Sequence, residues 1–66
     1  MQHTPMSPLL KTNEVAARLR VDDSTLRRWR LDRVGPRFLR IGHTYRYPAD
    51  ELEEWISENV RHSVVS

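Results

Sequence analysis

The sequence predicts a small α+β fold in which a two-stranded antiparallel hairpin lies between the second and third of three helices. Three observations predict it. Apolar residues recur at helical spacing in three segments, a short turn separates the first two segments, and one further segment alternates apolar and polar residues as a strand does. The chain has 66 residues and no cysteine, so an apolar core must hold one small domain together without disulfides or thiolate-bound zinc.

The first helix is predicted over residues 13–19, because Val15, Ala16 and Leu19 fall on one helical face. Thr12 has the side chain of an N-cap and is expected to begin this helix.

A turn at residues 20–21 leads into a second helix, which Asp22 is expected to cap and which runs to about residue 31. Leu26 and Trp29, three positions apart, form its inward face. Two short helices joined in this way are typical of a helix-turn-helix, whose second helix can lie in the major groove of DNA. Such turns often contain Gly where this chain has Arg20, so mild strain or a slightly different turn is expected there.

Residues 38–47 carry the only convincing strand signal. A two-residue loop over residues 42–43 would mix polar and apolar side chains on each face, whereas a three-residue loop over residues 42–44 keeps the faces distinct. The alternation therefore predicts the three-residue loop, with Arg40 beside Arg46 on an exposed face. Two adjacent arginines repel each other, so this face is expected to meet an anion.

A third helix is expected over about residues 49–59, after Pro48. Its apolar stripe repeats at i, i+3, i+4 and i+8, and acidic residues occupy the other faces. The members of the stripe are Leu52, Trp55, Ile56 and Val60. Residues 1–8 are expected to form a flexible arm, residues 9–60 the folded domain and residues 61–66 a frayed tail.

The formal net charge of +2 conceals a segregation along the chain. Residues 1–47 hold ten basic and four acidic side chains, a net charge of +6, whereas residues 48–66 hold one and five, a net charge of −4. Ten of the eleven basic residues are Arg, whose planar fork suits phosphate and the edge of guanine. This pattern indicates a basic working face and an acidic back, although a solvated Arg-rich surface would have the same composition. The sequence shows no membrane span and no signal peptide, so a cytoplasmic protein is expected.

The order of these elements resembles the small winged-helix proteins of the excisionase and MerR-like superfamily, over roughly residues 9–58. The matching segments are LKTNEVAARL at residues 10–19, VDDSTLRRW at 21–29, GPRFLRIGHTYRY at 35–47 and DELEEWI at 50–56. The resemblance implies a winged helix-turn-helix that lays its second helix in the major groove and its hairpin, the wing, on the neighbouring backbone or minor groove. The implied DNA contacts of the second helix are Ser24, Thr25, Arg27 and Arg28. Those of the wing are Arg40, Gly42, His43, Thr44 and Arg46.

By the same resemblance, the expected function is that of an excisionase, or recombination directionality factor, of a phage or other mobile element. Such a protein binds repeated sites cooperatively, bends double-stranded DNA and directs a partner integrase toward excision, here on the nucleoid of a bacterial host. The charge segregation suggests that copies pack head to tail. No cofactor, metal, small-molecule effector, membrane partner or enzymatic activity is expected.

Two other functions are compatible with the sequence. One is a minimal MerR-like transcriptional repressor or regulator, since the chain ends before the dimerisation helix and effector domain that MerR-type activators normally append. The other is a protein-interaction adaptor that uses the acidic third helix.

Several basic and aromatic residues also have structural interpretations. Arg27 and Arg28 could be solvated and paired with nearby acids, and Arg30 and Arg33 are expected to be solvated or to flank the core. The aromatic residues expected in or beside the core are Trp29, Tyr45, Tyr47 and Trp55. The three histidines lack metal-ligand spacing.

Overall fold

A computed structural model describes residues 8–62, with side chains as far as residue 60. The elements are, in chain order, β1 (Leu9–Lys11), α1 (Thr12–Leu19), α2 (Asp23–Asp32), β2 (Leu39–Ile41), β3 (Thr44–Pro48) and α3 (Ala49–His62). The predicted α+β fold, with a hairpin between the second and third helices, is confirmed. An unpredicted strand, β1, joins the hairpin in an antiparallel sheet of order β1-β3-β2. Three residues are too few to show an alternating pattern, so β1 could not be found from periodicity.

The core takes at least one buried side chain from each helix and one from the central strand β3. These residues are Val15, Ala16, Leu26, Tyr47 and Leu52. Trp29 and Trp55 pack beside them with ring centroids 5.8 Å apart, so the predicted inward faces of all three helices are confirmed. Val60 departs from the prediction because its side chain is 69% exposed. The apolar stripe of α3 therefore ends at Ile56.

The predicted start of α1 is wrong by one residue. Lys11 occupies the N-cap position, and the carboxylate of Glu14 accepts a hydrogen bond from its backbone N–H at 2.8 Å. Thr12 is thus the first residue of the helix rather than its cap. For α2 the predicted cap is correct, because Asp22 lies in extended backbone just before Asp23.

Both helices of the helix-turn-helix end on an arginine in the left-handed region. Arg20 has a φ of 61° and Arg33 a φ of 60°. The backbone N–H of Val21 then donates to the carbonyl of Ala16 at 3.0 Å, which closes the end of α1. The strain expected at Arg20 is confirmed, and the same strain recurs at the end of α2.

The predicted hairpin register is wrong. Leu39 pairs with Arg46 and Ile41 with Thr44, so the loop contains only Gly42 and His43. Gly42 has a φ of 63°, as a type II′ turn requires of its first central residue. The prediction failed because it required one buried face along the whole hairpin. In fact β2 is an exposed edge strand, and of the two hairpin strands only β3 is partly buried.

The predicted arm and tail fall mostly outside the described residues. Pro8 is described, and its carbonyl accepts a hydrogen bond from the backbone N–H of Ala49 at 2.9 Å. This bond joins the start of the described chain to the start of α3. At the other end, α3 continues to His62, three residues past its predicted end.

Candidate nucleic-acid interface

The outer face of α2 is formed by the side chains that its packing leaves free. Leu26 is fully buried, which turns Ser24, Arg27 and Arg28 outward, where all three are exposed. Thr25 is half-buried at the margin of this face. Ser24, Thr25 and Arg28 together line a shallow depression. The structure thus brings the four predicted contacts of the second helix onto one continuous surface.

The two arginines of this face are available to a ligand. Within residues 8–60, the side chains of Arg27 and Arg28 make no hydrogen bond or ion pair. Pairing with the nearby carboxylates of Asp23 or Asp32, the alternative interpretation, is not observed. Guanidinium groups without an internal partner can bind a base edge or a phosphate without first breaking a contact.

The tip of the hairpin is held by its own side chains. Thr44 donates its hydroxyl to the carbonyl of Ile41 at 2.7 Å, and Arg40 Nε donates to the carbonyl of Gly42 at 3.1 Å. Gly42 and His43 at the tip are exposed. The hairpin therefore presents a braced, polar end to solvent.

The observed register places the hairpin arginines on opposite faces of the sheet. Arg40 lies opposite Tyr45, on the face that carries the buried Tyr47. Arg46 lies on the outer face, where its cross-strand neighbour on β1 is Lys11. The predicted Arg40–Arg46 pair is thus wrong. A Lys11–Arg46 pair replaces it, so two adjacent cations do lie on the outer face.

Arg30 has a structural role that connects α2 to the sheet. Its Nη1 donates to the hydroxyl of buried Tyr47 at 2.8 Å and contacts the hydroxyl of Thr12 at 3.5 Å. Its guanidinium carbon lies 4.0 Å from the centroid of the Tyr45 ring, a cation–π contact. The expectation that Arg30 flanks the core is confirmed, and these contacts fix the hairpin relative to α2.

Two ion pairs connect α3 to the basic part of the chain. Arg18 on α1 contacts both carboxylate oxygens of Glu53, at 2.8 and 2.9 Å, and Arg37 lies 3.8 Å from Glu51. Another part of α3 forms an acidic groove, defined here as the surface of Glu51, Glu54, Trp55 and Glu58, and Arg37 lies at its wall. Within residues 8–60, Glu54 and Glu58 have no ion-pair partner.

The structure adds basic and apolar residues that the sequence did not assign to the interface. Lys11 comes near it only through its pairing with β3, which no local signal marks, and Arg37 lies on the loop between α2 and β2, which has no periodic pattern. Leu31 is different: it is 77% exposed and follows Arg27 and Arg28 by four and three positions. Its place on the outer face could have been read from helical spacing alone.

Other kinds of site were sought in the described part of the chain. Residues 8–62 contain no group of three or more His, Cys, Asp or Glu side chains placed to hold a metal ion. None of the described helices is long and apolar enough to cross a membrane.

A helix-turn-helix with an exposed basic second helix, flanked by a short hairpin, defines a DNA-binding domain of the winged type. A family model described as "Helix-turn-helix domain" matches residues 9–60, and the chain belongs to this family. No curated protein and no solved structure matches the chain.

Proposed function

We propose that this protein is an excisionase that binds and bends double-stranded DNA and directs an integrase toward excision. The observation that carries the proposal is the outer face of α2, where Arg27 and Arg28 are exposed and unpaired within residues 8–60. This helix lies in the major groove, with one of the two arginines on a guanine edge. Ser24 and Thr25 contact phosphate oxygens or base edges.

The wing contacts the backbone or minor groove next to the site of α2. Its tip residues, Gly42 and His43, lie deepest in the groove. Arg40 and Arg46 lie on opposite faces of the hairpin, so a hairpin within a groove directs one arginine toward each of the two flanking backbones. Thr44, which holds the turn closed, contacts the backbone at the tip.

The choice of an excisionase among DNA-binding functions is supported by sequence. The four segments that resemble excisionases span all three helices and the hairpin, and the family includes excisionase-like small DNA-binding proteins. Bending a site of 20–30 base pairs costs roughly 1–6 kcal/mol. Several copies bound side by side share that free energy, which gives a physical reason for repeated sites and cooperative assembly.

The acidic groove of α3 supports head-to-tail assembly. It combines three carboxylates with one cation, Arg37, and with the half-buried ring of Trp55. The remaining negative charge attracts a further arginine, which can also make a cation–π contact with the ring. The basic residues of a neighbouring copy supply such arginines.

Binding and excision are tested in sequence. Selection from random duplexes identifies the site, and titration at several salt concentrations is expected to show affinity that falls steeply as salt rises. A reconstituted excision reaction with the integrase of the same element is then expected to depend on this protein. Binding accompanied by promoter repression, with no effect on excision, would assign a minimal regulator instead. No binding to any duplex at low salt would overturn the proposal and favour the adaptor function.

A further inference from the structure

An open cleft of about 600 Å³ lies between the end of α2 and the hairpin, and of the contacts proposed above it includes only Arg40. Four arginines line it, and no acidic residue is among its lining residues. The arginines are Arg30, Arg33, Arg37 and Arg40. Four like charges around one cleft repel one another unless an anion lies between them.

The four guanidinium groups differ in how far they are already engaged. Arg30 is held by Tyr45 and Tyr47 and so contributes a fixed positive charge to the cleft wall. The guanidinium of Arg33 has no hydrogen bond or ion pair within residues 8–60. The side chain of Arg37 is 82% exposed, and its ion pair with Glu51 is long, at 3.8 Å, so this guanidinium is only weakly engaged. Arg40 uses Nε in the turn, and its two terminal nitrogens make no hydrogen bond or ion pair to any residue between 8 and 60.

The position of the cleft indicates which anion fills it. If α2 lies in the major groove and the hairpin in the adjacent minor groove, one DNA strand separates the two grooves. The backbone of that strand must cross the molecule between α2 and the hairpin, where the cleft lies. Arginine forks match the oxygens of a phosphodiester in charge and in shape.

We propose that this cleft binds backbone phosphates of the separating strand through Arg33, Arg37 and Arg40, and that it thereby sets the register of α2 on the duplex. The inference rests on the proposed DNA-binding function. A contact of this kind carries no base preference and acts by positioning the reading helix.

The matched variants are R33Q and R37Q, with R18Q as the control. Arg18 and Arg37 both pair with a glutamate of α3, and both substitutions remove one positive charge, but only Arg37 lies in the cleft. R33Q and R37Q are each expected to weaken binding about tenfold on every sequence and to lower the salt slope by about one. R18Q is expected to bind like the wild type. Thermal unfolding of each variant checks that it folds.

Neutral methylphosphonates introduced one at a time into the duplex locate the contact. Neutralising several phosphates is expected to weaken wild-type binding. For the phosphate that contacts Arg37, the same neutralisation is expected to cause no further weakening of binding by R37Q. If R33Q and R37Q bind like R18Q, the cleft assignment is overturned while the proposed function stands. If inorganic phosphate binds the free protein through these arginines and every methylphosphonate weakens R33Q and R37Q as much as it weakens the wild type, the cleft is a free-anion site and the assignment is also overturned. Absence of duplex binding by the wild type would overturn both proposals.

A separate observation concerns the reading of bases. Leu31 is 77% exposed and lies on the same face of α2 as Ser24, Arg27 and Arg28. An apolar side chain directed into the major groove can contact the C5-methyl group of thymine, the one apolar feature of the base edges there. We infer that Leu31 reads a thymine methyl, an inference that again depends on α2 lying in the groove.

Deoxyuridine tests this directly, because it differs from thymine only by that methyl group. Replacing thymines of the selected site one at a time is expected to weaken wild-type binding several-fold at one position. L31A is expected to lose this discrimination, whereas V60A, which truncates an exposed valine on α3, is expected to retain it. Equal thymine–deoxyuridine ratios for the wild type and L31A would overturn the inference and leave the proposed function intact.

Discussion

Arg28 lies at the centre of the question of how this domain recognises DNA. It is exposed, it has no partner within residues 8–60, and it borders the depression formed with Ser24 and Thr25. Arg28→Ala is expected to weaken specific binding by roughly 1–3 kcal/mol and to relax the preference at one base pair. Competition binding against every single-base variant of the site measures both effects. A uniform loss across all sequences would identify a phosphate contact instead.

Gly35 and Gly42 both have a positive φ, but they differ in their surroundings. A Cβ on Gly35 would lie 2.8 Å from Cε3 of Trp29, whereas one on Gly42 would meet no atom within 4 Å. Gly42→Ala is expected to lower the free energy of unfolding by about 1 kcal/mol, from backbone strain alone. Gly35→Ala is expected to lower it by a further 1–3 kcal/mol or so, because the ring must move. Chemical denaturation of both variants measures the difference, and equal losses would show that Trp29 adjusts freely.

For individual residues, the sequence predicted the side-chain positions that depend on local spacing. The inward positions of Leu26 and Trp29 follow from helical periodicity, and so does the outward position of Arg27. The contacts of Arg30 could not be predicted, because its partner Tyr47 is 17 residues away and meets it only after the sheet has formed.

Among the elements, the hairpin shows why a strand's surroundings matter as much as its own pattern. The alternation in residues 38–47 correctly indicated two strands and the exposed tip. It did not reveal β1, which makes β3 the central strand. The neighbour of Arg46 on the same face is therefore Lys11 of β1 and not Arg40 of β2. Register depends on which face is buried, and here the buried face of β3 continues onto β1, where Leu10 lies opposite Tyr47, rather than onto the exposed strand β2.

The corrected register changes what is expected of Arg46. Arg46→Ala is expected to reduce the salt slope of DNA binding by about one, if Lys11 and Arg46 jointly face the backbone. Lys11→Ala should give a similar reduction, because the two side chains are cross-strand neighbours. Titrations at four or more salt concentrations measure the slopes, and unchanged slopes in both variants would show that this face lies away from DNA.

For the whole molecule, the segregation of charge predicted from sequence takes a more specific form in the structure. The negative segment does not stand apart from the basic one, since Arg18 and Arg37 pair with Glu53 and Glu51. Among the described residues, the carboxylates of the acidic groove that remain without an ion-pair partner are Glu54 and Glu58. Sequence could indicate an excess of negative charge in α3 but not which carboxylates the fold leaves unpaired.

Cooperative assembly is tested through those carboxylates. The double variant Glu54→Gln and Glu58→Gln is expected to bind a single-site duplex like the wild type but to lose cooperativity on a duplex with repeated sites. The reason is that it removes two charges proposed to attract a neighbouring copy and leaves both ion pairs of α3 in place. Quantitative footprinting measures occupancy of each site. Cooperativity that survives the double variant would show that the copies meet elsewhere.

Arg20 and Arg33 follow α1 and α2 with a left-handed backbone conformation, which lowers the stability of the domain. At Arg33 the same residue is proposed to increase DNA affinity. Glycine adopts this backbone without strain and is the residue that most often follows a helix in it. Arg33→Gly is therefore expected to raise the free energy of unfolding by about 1 kcal/mol while it weakens DNA binding through the cleft. Arg20→Gly, outside the cleft, should give the same gain in stability without that loss. At Arg33 a more stable domain and a tighter-binding one require different residues, and the chain carries the residue suited to binding.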